Sequence, residues 1–155
     1  MLDMVIRFGV LILVVMLLWT LTWSGRRFVE MRRRQALAAA PLDIMTAGGS
    51  NLAASSPAMD SDKTRVRILA FQSEDCRQCH TLQAPALKRL RETCGDTVAV
   101  MEVDAPGAPE LTQRYRVLTL PTTVVLDASG NARAVNYGFA PTQRLLEQVN
   151  SILAG

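Results

Sequence analysis

Ser73-Glu74-Asp75-Cys76-Arg77-Gln78-Cys79-His80 decides how this chain is read, because a C-x-x-C here joins a strand-like run to a helix-like run. Upstream, Arg65 to Gln72 reads RVRILAFQ, apolar and β-favouring. Downstream, Thr81 to Leu90 reads TLQAPALKRL, with apolar residues returning at helical spacing. Two thiols at i and i+3 where a helix begins face one spot and can close a small disulfide ring. The N–H groups and dipole of the helix start stabilise a thiolate on the first of them. Dithiol/disulfide chemistry is the default expectation.

The 155 residues leave room for one ordinary domain and something more. Charge is uneven. Arg26, Arg27, Arg32, Arg33 and Arg34 cluster together, whereas the segment from Arg65 onward holds ten basic and nine acidic residues. With no basic stripe on that segment, a nucleic-acid surface is not expected. Three cysteines, two of them in one C-x-x-C, do not make a disulfide-stapled secreted scaffold.

Residues 4–23 read MVIRFGVLILVVMLLWTLTW, with Arg7 as the only charge. Twenty helical residues span roughly 30 Å, the thickness of a hydrocarbon core. Trp19 and Trp23 fall at the far end, where indole rings favour the membrane–water interface. A buried core helix does not fit sixteen uncharged residues in a row from Phe8. A cleaved signal peptide carries its charge before the apolar run, whereas here five arginines follow it. The segment is therefore predicted to be a single-pass, uncleaved anchor. By the positive-inside rule the arginines put the C-terminal side in the cytoplasm, with the extracytoplasmic face as the alternative. They also suit anionic headgroups.

Residues 24–40 are expected to form a basic juxtamembrane helix, running from Phe28 to Ala39 and stopped by Pro41. Residues 41–63, rich in Ala, Ser, Gly, Pro and Asp, read as a flexible linker whose coil average is about 25 Å. The folded domain is expected over 64–155. Thr97 to Asp104 reads as a second strand and Gly107 to Tyr115 as a short helix ending at Arg116. Thr122 to Leu126 is a buried strand, and Asp127 to Asn131 a turn into a hairpin strand, Ala132 to Tyr137. A last helix opens at Pro141 and Thr142, with Leu145, Leu146, Val149, Ile152 and Leu153 on its apolar face. The order is β-α-β-α-β-β-α, with no internal repeat.

That order, the C-x-x-C after the first strand, Leu118-Thr119-Leu120-Pro121-Thr122 before a later strand, and Gly138 after the hairpin resemble the thioredoxin superfamily. The resemblance covers roughly Arg65 to Leu153. It implies an α/β fold, a central mixed β-sheet flanked by helices, here preceded by one transmembrane helix. It implies that Cys76 is the exposed attacking thiol and Cys79 the resolving thiol. Pro121, in a cis peptide bond, and Leu120 would border the sulfurs and receive a partner chain. Arg77 and Gln78 would tune the pair. No cofactor is implied beyond the Cys76–Cys79 disulfide, and no metal. The expected partners are protein disulfide substrates and an electron donor, acting on a monomer.

The match has departures. Asp75 stands where such proteins carry Trp, and Arg77-Gln78 replaces Gly-Pro. The family's buried acid falls at Ala70 and its lysine partner at Val100. Pro85 comes six residues after Cys79, one later than usual. No segment clearly matches the first strand and helix of full-length thioredoxins. Around Cys76, Glu74 and Asp75 oppose a thiolate while Arg77 and the helix start favour it. His80, the only histidine, is expected to be an exposed bystander.

Three other readings use the same residues. C-x-x-C-H also fits c-type haem attachment, but that needs export, an apolar pocket and usually a distal Met. Cys76, Cys79 and His80 are soft enough for Cu(I) or Zn, but a closed zinc site needs a fourth ligand. Cys94 lies roughly 20 Å further along the helix at 1.5 Å per residue. A non-catalytic or redox-sensing binding module of a membrane complex is the remaining alternative. The leading expectation is a membrane-tethered thiol–disulfide oxidoreductase.

Overall fold

The computed structural model describes residues 2–39, 52–53 and 64–155. They fall into two compact units, Met1–Arg34 and Gln35–Gly155. The first is almost all of helix α1 (Leu2–Leu37), whose last residues belong to the second.

In α1, Leu11–Leu37 is long and apolar enough to cross a membrane, and none of its apolar window is buried within the protein. A signal sequence near an N-terminus meets the same criterion. Leu11, Leu13 and Trp19 are each more than 60% exposed. Each such side chain left in water forgoes about 1.5–3 kcal/mol of burial. The Arg27 guanidinium lies 4.2 Å from the Trp23 ring centroid, one helical turn on. Glu30 pairs with Arg34 at 3.6 Å and Arg33 at 4.0 Å. The helix ends at Leu37, two residues before the expected Ala39, where the Ala39 N–H turns back to the Ala36 carbonyl.

In the second unit a five-stranded mixed sheet has the order β1-β3-β2-β4-β5: β1 (Leu52–Ala53), β2 (Val66–Gln72), β3 (Val98–Asp104), β4 (Thr122–Asp127) and β5 (Ala132–Tyr137). Only β2 and β3 run parallel. A parallel pair needs a long crossover, which α2 (Ala84–Cys94) supplies. The remaining helices are α3 (Pro109–Arg114) and α4 (Thr142–Leu153). This is the expected β-α-β-α-β-β-α order, with α1 and β1 added. Apart from β1, residues 41–63 lie outside the described residues. Leu52 pairs with Val103 and Ala53 with Glu102.

β2 is mostly apolar, with Arg67 and Gln72 half-buried, because both faces are covered. Val66, Ile68 and Ala70 pack with Val98 and Val100 of β3, Val125 of β4, Leu87 and Leu90 of α2, and Leu145 and Val149 of α4. Leu69 and Phe71, pointing the other way, pack with Val103, Val124, Leu126, Val135, Tyr115 and Ala36. Tyr115 meets Phe71 edge-on, ring centroids 6.3 Å apart, and its buried hydroxyl has no hydrogen-bond partner among the described residues. Burial pushes the Tyr115 phenol up, against an opposing pull from Arg114. The Ala36 contact brings in a residue nearly thirty positions before Thr64.

α3 is shorter than the expected Gly107 to Tyr115. Gly107 gives its N–H to the Asp104 carboxylate, Pro109 opens the helix, and Arg116 takes φ +51° just beyond its end. On the opposite face, Asn136 and Gln148 exchange two amide hydrogen bonds of 2.9 Å, and Asn136 also donates to the Thr123 hydroxyl. These buried bonds fix the lateral position of α4 on β4 and β5, which apolar contacts alone leave free to slide.

Candidate functional site

In the strand register Phe71 pairs with Thr122 and Thr122 with Tyr137. The end of β2, the start of β4 and the end of β5 therefore share one edge of the sheet. Three segments leave from it: Ser73–Cys76, Thr119–Pro121 and Gly138–Ala140.

The first carries the cysteines. The Cys76 N–H donates to the Ser73 carbonyl at 3.1 Å, closing a tight turn, and Arg77 begins helical backbone. Cys76 and Cys79 form a disulfide, with S–S 2.04 Å and Cα atoms 5.3 Å apart. The two sulfurs are unequal. Cys76 is half-buried, whereas Cys79 is only 1% exposed. The Cys79 N–H donates to the Cys76 Sγ at 3.2 Å as well as to the Cys76 carbonyl at 3.0 Å. A backbone donor at a helix start aimed at one sulfur stabilises negative charge on that sulfur. The opposing carboxylates, Glu74 and Asp75, and the Arg77 guanidinium are exposed, as is Gln78, so water screens all three charges.

His80 is exposed, as expected, but not idle. Its Nε2 lies 3.1 Å from the Glu74 carbonyl, which requires the proton on that nitrogen. It closes the turn ahead of Cys76. Among the described residues no group of three or more His, Cys, Asp or Glu side chains is arranged to hold a metal ion. Cys94 is the last residue of α2, half-buried, and burial pushes its thiol up.

From Cys79 to Gln83 the helix is π-wound, with the Ala84 N–H reaching the Cys79 carbonyl five residues back. Pro85, just inside α2, has no N–H to offer the preceding turn. The residue by which Pro85 is displaced from the usual spacing is taken up by this wider turn. Gln83, 3% exposed, sends its side chain across to the third segment: Oε1 accepts the Ala140 N–H at 2.9 Å and Nε2 donates to the Ala140 carbonyl at 3.2 Å.

The second segment brings Leu120 and Pro121 to the same sheet edge. The Leu120–Pro121 peptide bond is cis, Pro121 is buried and Leu120 half-buried. The Thr122 hydroxyl holds the loop through the Thr119 carbonyl at 2.6 Å. In the third segment Gly138 takes φ +80°, a conformation that disfavours a side chain. Leu82, Leu118 and Phe139 are each more than 40% exposed.

Beneath the cysteine turn, Ala70 and Val100 are 5% and 4% exposed and wholly in the apolar core. The nearest acid in the register is Glu102, paired with Ala70, whose carboxylate accepts from Gln72 Nε2 at 3.0 Å. Sequence reasoning missed Gln83, the Gln72–Glu102 pair and the His80 bond. None has a local signal, since the first two join residues 57 and 30 positions apart.

The family model described as Thioredoxin matches residues 58–151. The chain belongs to the thioredoxin family. Its thioredoxin domain is 32% identical over 96 residues to a thiol:disulfide interchange protein TxlA homolog of Synechocystis sp., covering 60% of this chain and 52% of that protein. It is 31% identical over 81 residues to a thioredoxin of Rhodospirillum rubrum (52% of this chain, 76% of the relative). A chloroplastic thioredoxin Y2 of Arabidopsis thaliana is 29% identical over 86 residues, 56% of this chain and 50% of the relative. The chain thus spans about half the length of the Synechocystis and Arabidopsis relatives. Among solved structures it resembles chloroplastic thioredoxin z at TM-score 0.53 and 28% identity, covering 61% of this chain and 84% of that one. The Deadhead thioredoxin of Drosophila melanogaster gives TM-score 0.51 at 25% identity, covering 59% and 83%.

Proposed function

We propose that this chain is a membrane-tethered thiol–disulfide oxidoreductase that reduces protein disulfides. The observation that carries the reading is the inequality of the two sulfurs: Cys76 is reachable and receives the Cys79 N–H, while Cys79 is covered. In the reduced protein the Cys76 thiolate attacks one sulfur of a substrate disulfide. A Cys76–substrate disulfide forms, the substrate S–S bond breaks, and one substrate thiolate leaves. The Cys79 thiolate then attacks Cys76 Sγ, forming the disulfide seen here and releasing the second substrate thiolate. Two electrons pass from the dithiol to the substrate, and a dithiol donor must restore the pair. Leu118, Leu120 and Phe139 offer apolar contact to the chain around a target disulfide, bordered by Pro121, Arg77 and Gln78. The name of the Synechocystis relative, a thiol:disulfide interchange protein, supports the same chemistry.

The full chain in detergent micelles is expected to reduce insulin disulfides with dithiothreitol as donor. Cys76→Ser should lower the rate at least a hundredfold. Equal, negligible rates in both proteins would instead favour a non-catalytic or redox-sensing module, a reading that the apolar Ala70 and Val100 support.

The proposed arrangement is a membrane helix over 4–23, a basic juxtamembrane helix over 24–40, a linker over 41–63 and the thioredoxin domain over 64–155. The arginine cluster supports a cytoplasmic domain, where reducing conditions keep the pair as dithiol and make it a reductant. Reporter enzymes fused after Gly155 test the orientation: a reporter that works only in the cytoplasm is expected, and one that works only outside it reverses the direction of chemistry.

A further inference from the structure

We propose that Gln83 is a positioning residue for the resolving cysteine, acting by clamping the π-wound turn to the loop after β5. This rests on the oxidoreductase reading of the disulfide.

Cys79 and Gln83 are the first and last residues of the π-wound turn. A π turn has poorer backbone geometry than an α turn and persists where its surroundings hold it. Two features hold this one. Pro85 provides no N–H to rebuild a regular ladder, and the Gln83 carboxamide makes two hydrogen bonds to the backbone of Ala140. Ala140 is fully buried, and its chain neighbours Gly138 and Phe139 leave β5 beside the start of β4. Gln83 therefore ties the turn bearing Cys79 to the sheet edge that also presents Pro121. Without that tie the turn can rewind toward α geometry. One residue of register amounts to about 100° of rotation about the helix axis. Such a rotation swings the Cys79 sulfur away from Cys76.

The consequence falls on one step. Attack by Cys76 on an external disulfide depends on the Ser73–Cys76 turn, on access and on the Cys79 backbone N–H, which its own bond to the Cys76 carbonyl holds in place without Gln83. Attack by Cys79 on Cys76 Sγ needs the two sulfurs aligned, which Gln83 secures.

The two steps can be timed separately with 5,5′-dithiobis(2-nitrobenzoate), an aromatic disulfide that releases one coloured thiolate on attack by Cys76 and a second on resolution by Cys79. The full chain in micelles is reduced and freed of reductant, with Cys94→Ser in every protein so that only the pair reports. For Gln83→Met, which keeps the length but makes no hydrogen bond to Ala140, first release should stay within twofold and second release should slow at least tenfold. Gln83→Glu keeps an acceptor for the Ala140 N–H and should fall between, which provides a test if the Met variant does not fold. Second release within twofold of wild type in the folded variants, or both releases slowed by one common factor, overturns the proposal. A wild-type chain that releases neither thiolate sinks the oxidoreductase reading instead.

Discussion

Cys79→Ser is expected to convert the protein from a catalyst into a covalent trap. Attack by Cys76 needs only its own thiolate and the Cys79 backbone N–H, which serine retains. Resolution needs a thiolate in the same protein, already positioned within bonding reach of Cys76 Sγ. Oriented intramolecular attack is worth effective concentrations far above any external thiol, so its loss should lower insulin turnover by about 10³ or more. A serine hydroxyl is not ionised near neutral pH and does not substitute. The Cys76–substrate disulfide should then accumulate as a band on a non-reducing gel that dithiothreitol removes. Adding Cys76→Ser should remove the band. If Cys79→Ser forms no adduct, or Cys76→Ser alone forms as much, the assignment of attacker and resolver is wrong. The unequal exposure of the two cysteines is why the order is proposed this way round.

Ala36→Asp should destabilise the domain from a position far ahead of the cysteine site. Ala36 is fully buried against the face of the sheet that carries Leu69, Phe71, Val103 and Tyr115. A carboxylate there is either buried without a partner, at a cost of several kcal/mol, or forces the segment off the sheet. Undocking removes the burial of Ala36 and the partial burial of Leu37 and Ala39, and uncovers the rings beneath. The second route limits the loss to about 2–4 kcal/mol, by area bookkeeping for a few small side chains and the surface they cover. For a domain of this size that is about 10 °C of melting temperature. Ala38→Asp places the same charge at an exposed neighbour and should change stability by less than about 0.5 kcal/mol. Scanning calorimetry of the full chain in micelles compares the two. Equal melting would mean that the Ala36 contact contributes nothing to the fold.

Much of the fold was legible because its signals are local. β2, β4 and β5 show as apolar or alternating runs, and their ends fell within a residue of the observed ones. α4 announces itself by five apolar residues on one face, of which Leu145 and Val149 are buried and Leu146, Ile152 and Leu153 pack against the core. The C-x-x-C and the loop before Thr122 mark the site because their spacing and order are written in the chain. β1 escaped because two residues, Leu52 and Ala53, carry no periodicity and are strand only through their pairing with β3. The π turn escaped because residues 79–83 have an unremarkable helical composition; only the late Pro85 hinted at it.

Legible in the chain alone was the chemistry available here: two thiols at helical spacing, a proline ahead of a later strand, an apolar helix upstream, and strands in an order that forms a mixed sheet. These follow from backbone preference and from the period of burial, which act over a few neighbouring residues. Tertiary structure alone decided which sulfur is covered, which backbone N–H meets Cys76, and how the site is braced. It turned His80 toward the Glu74 carbonyl, set Glu102 beside Gln72, and linked Gln83 to Ala140 across 57 positions. Such bonds depend on where separate elements come to rest. A buried amide needs partners, and its partners are known only once packing has brought distant backbone within about 3 Å.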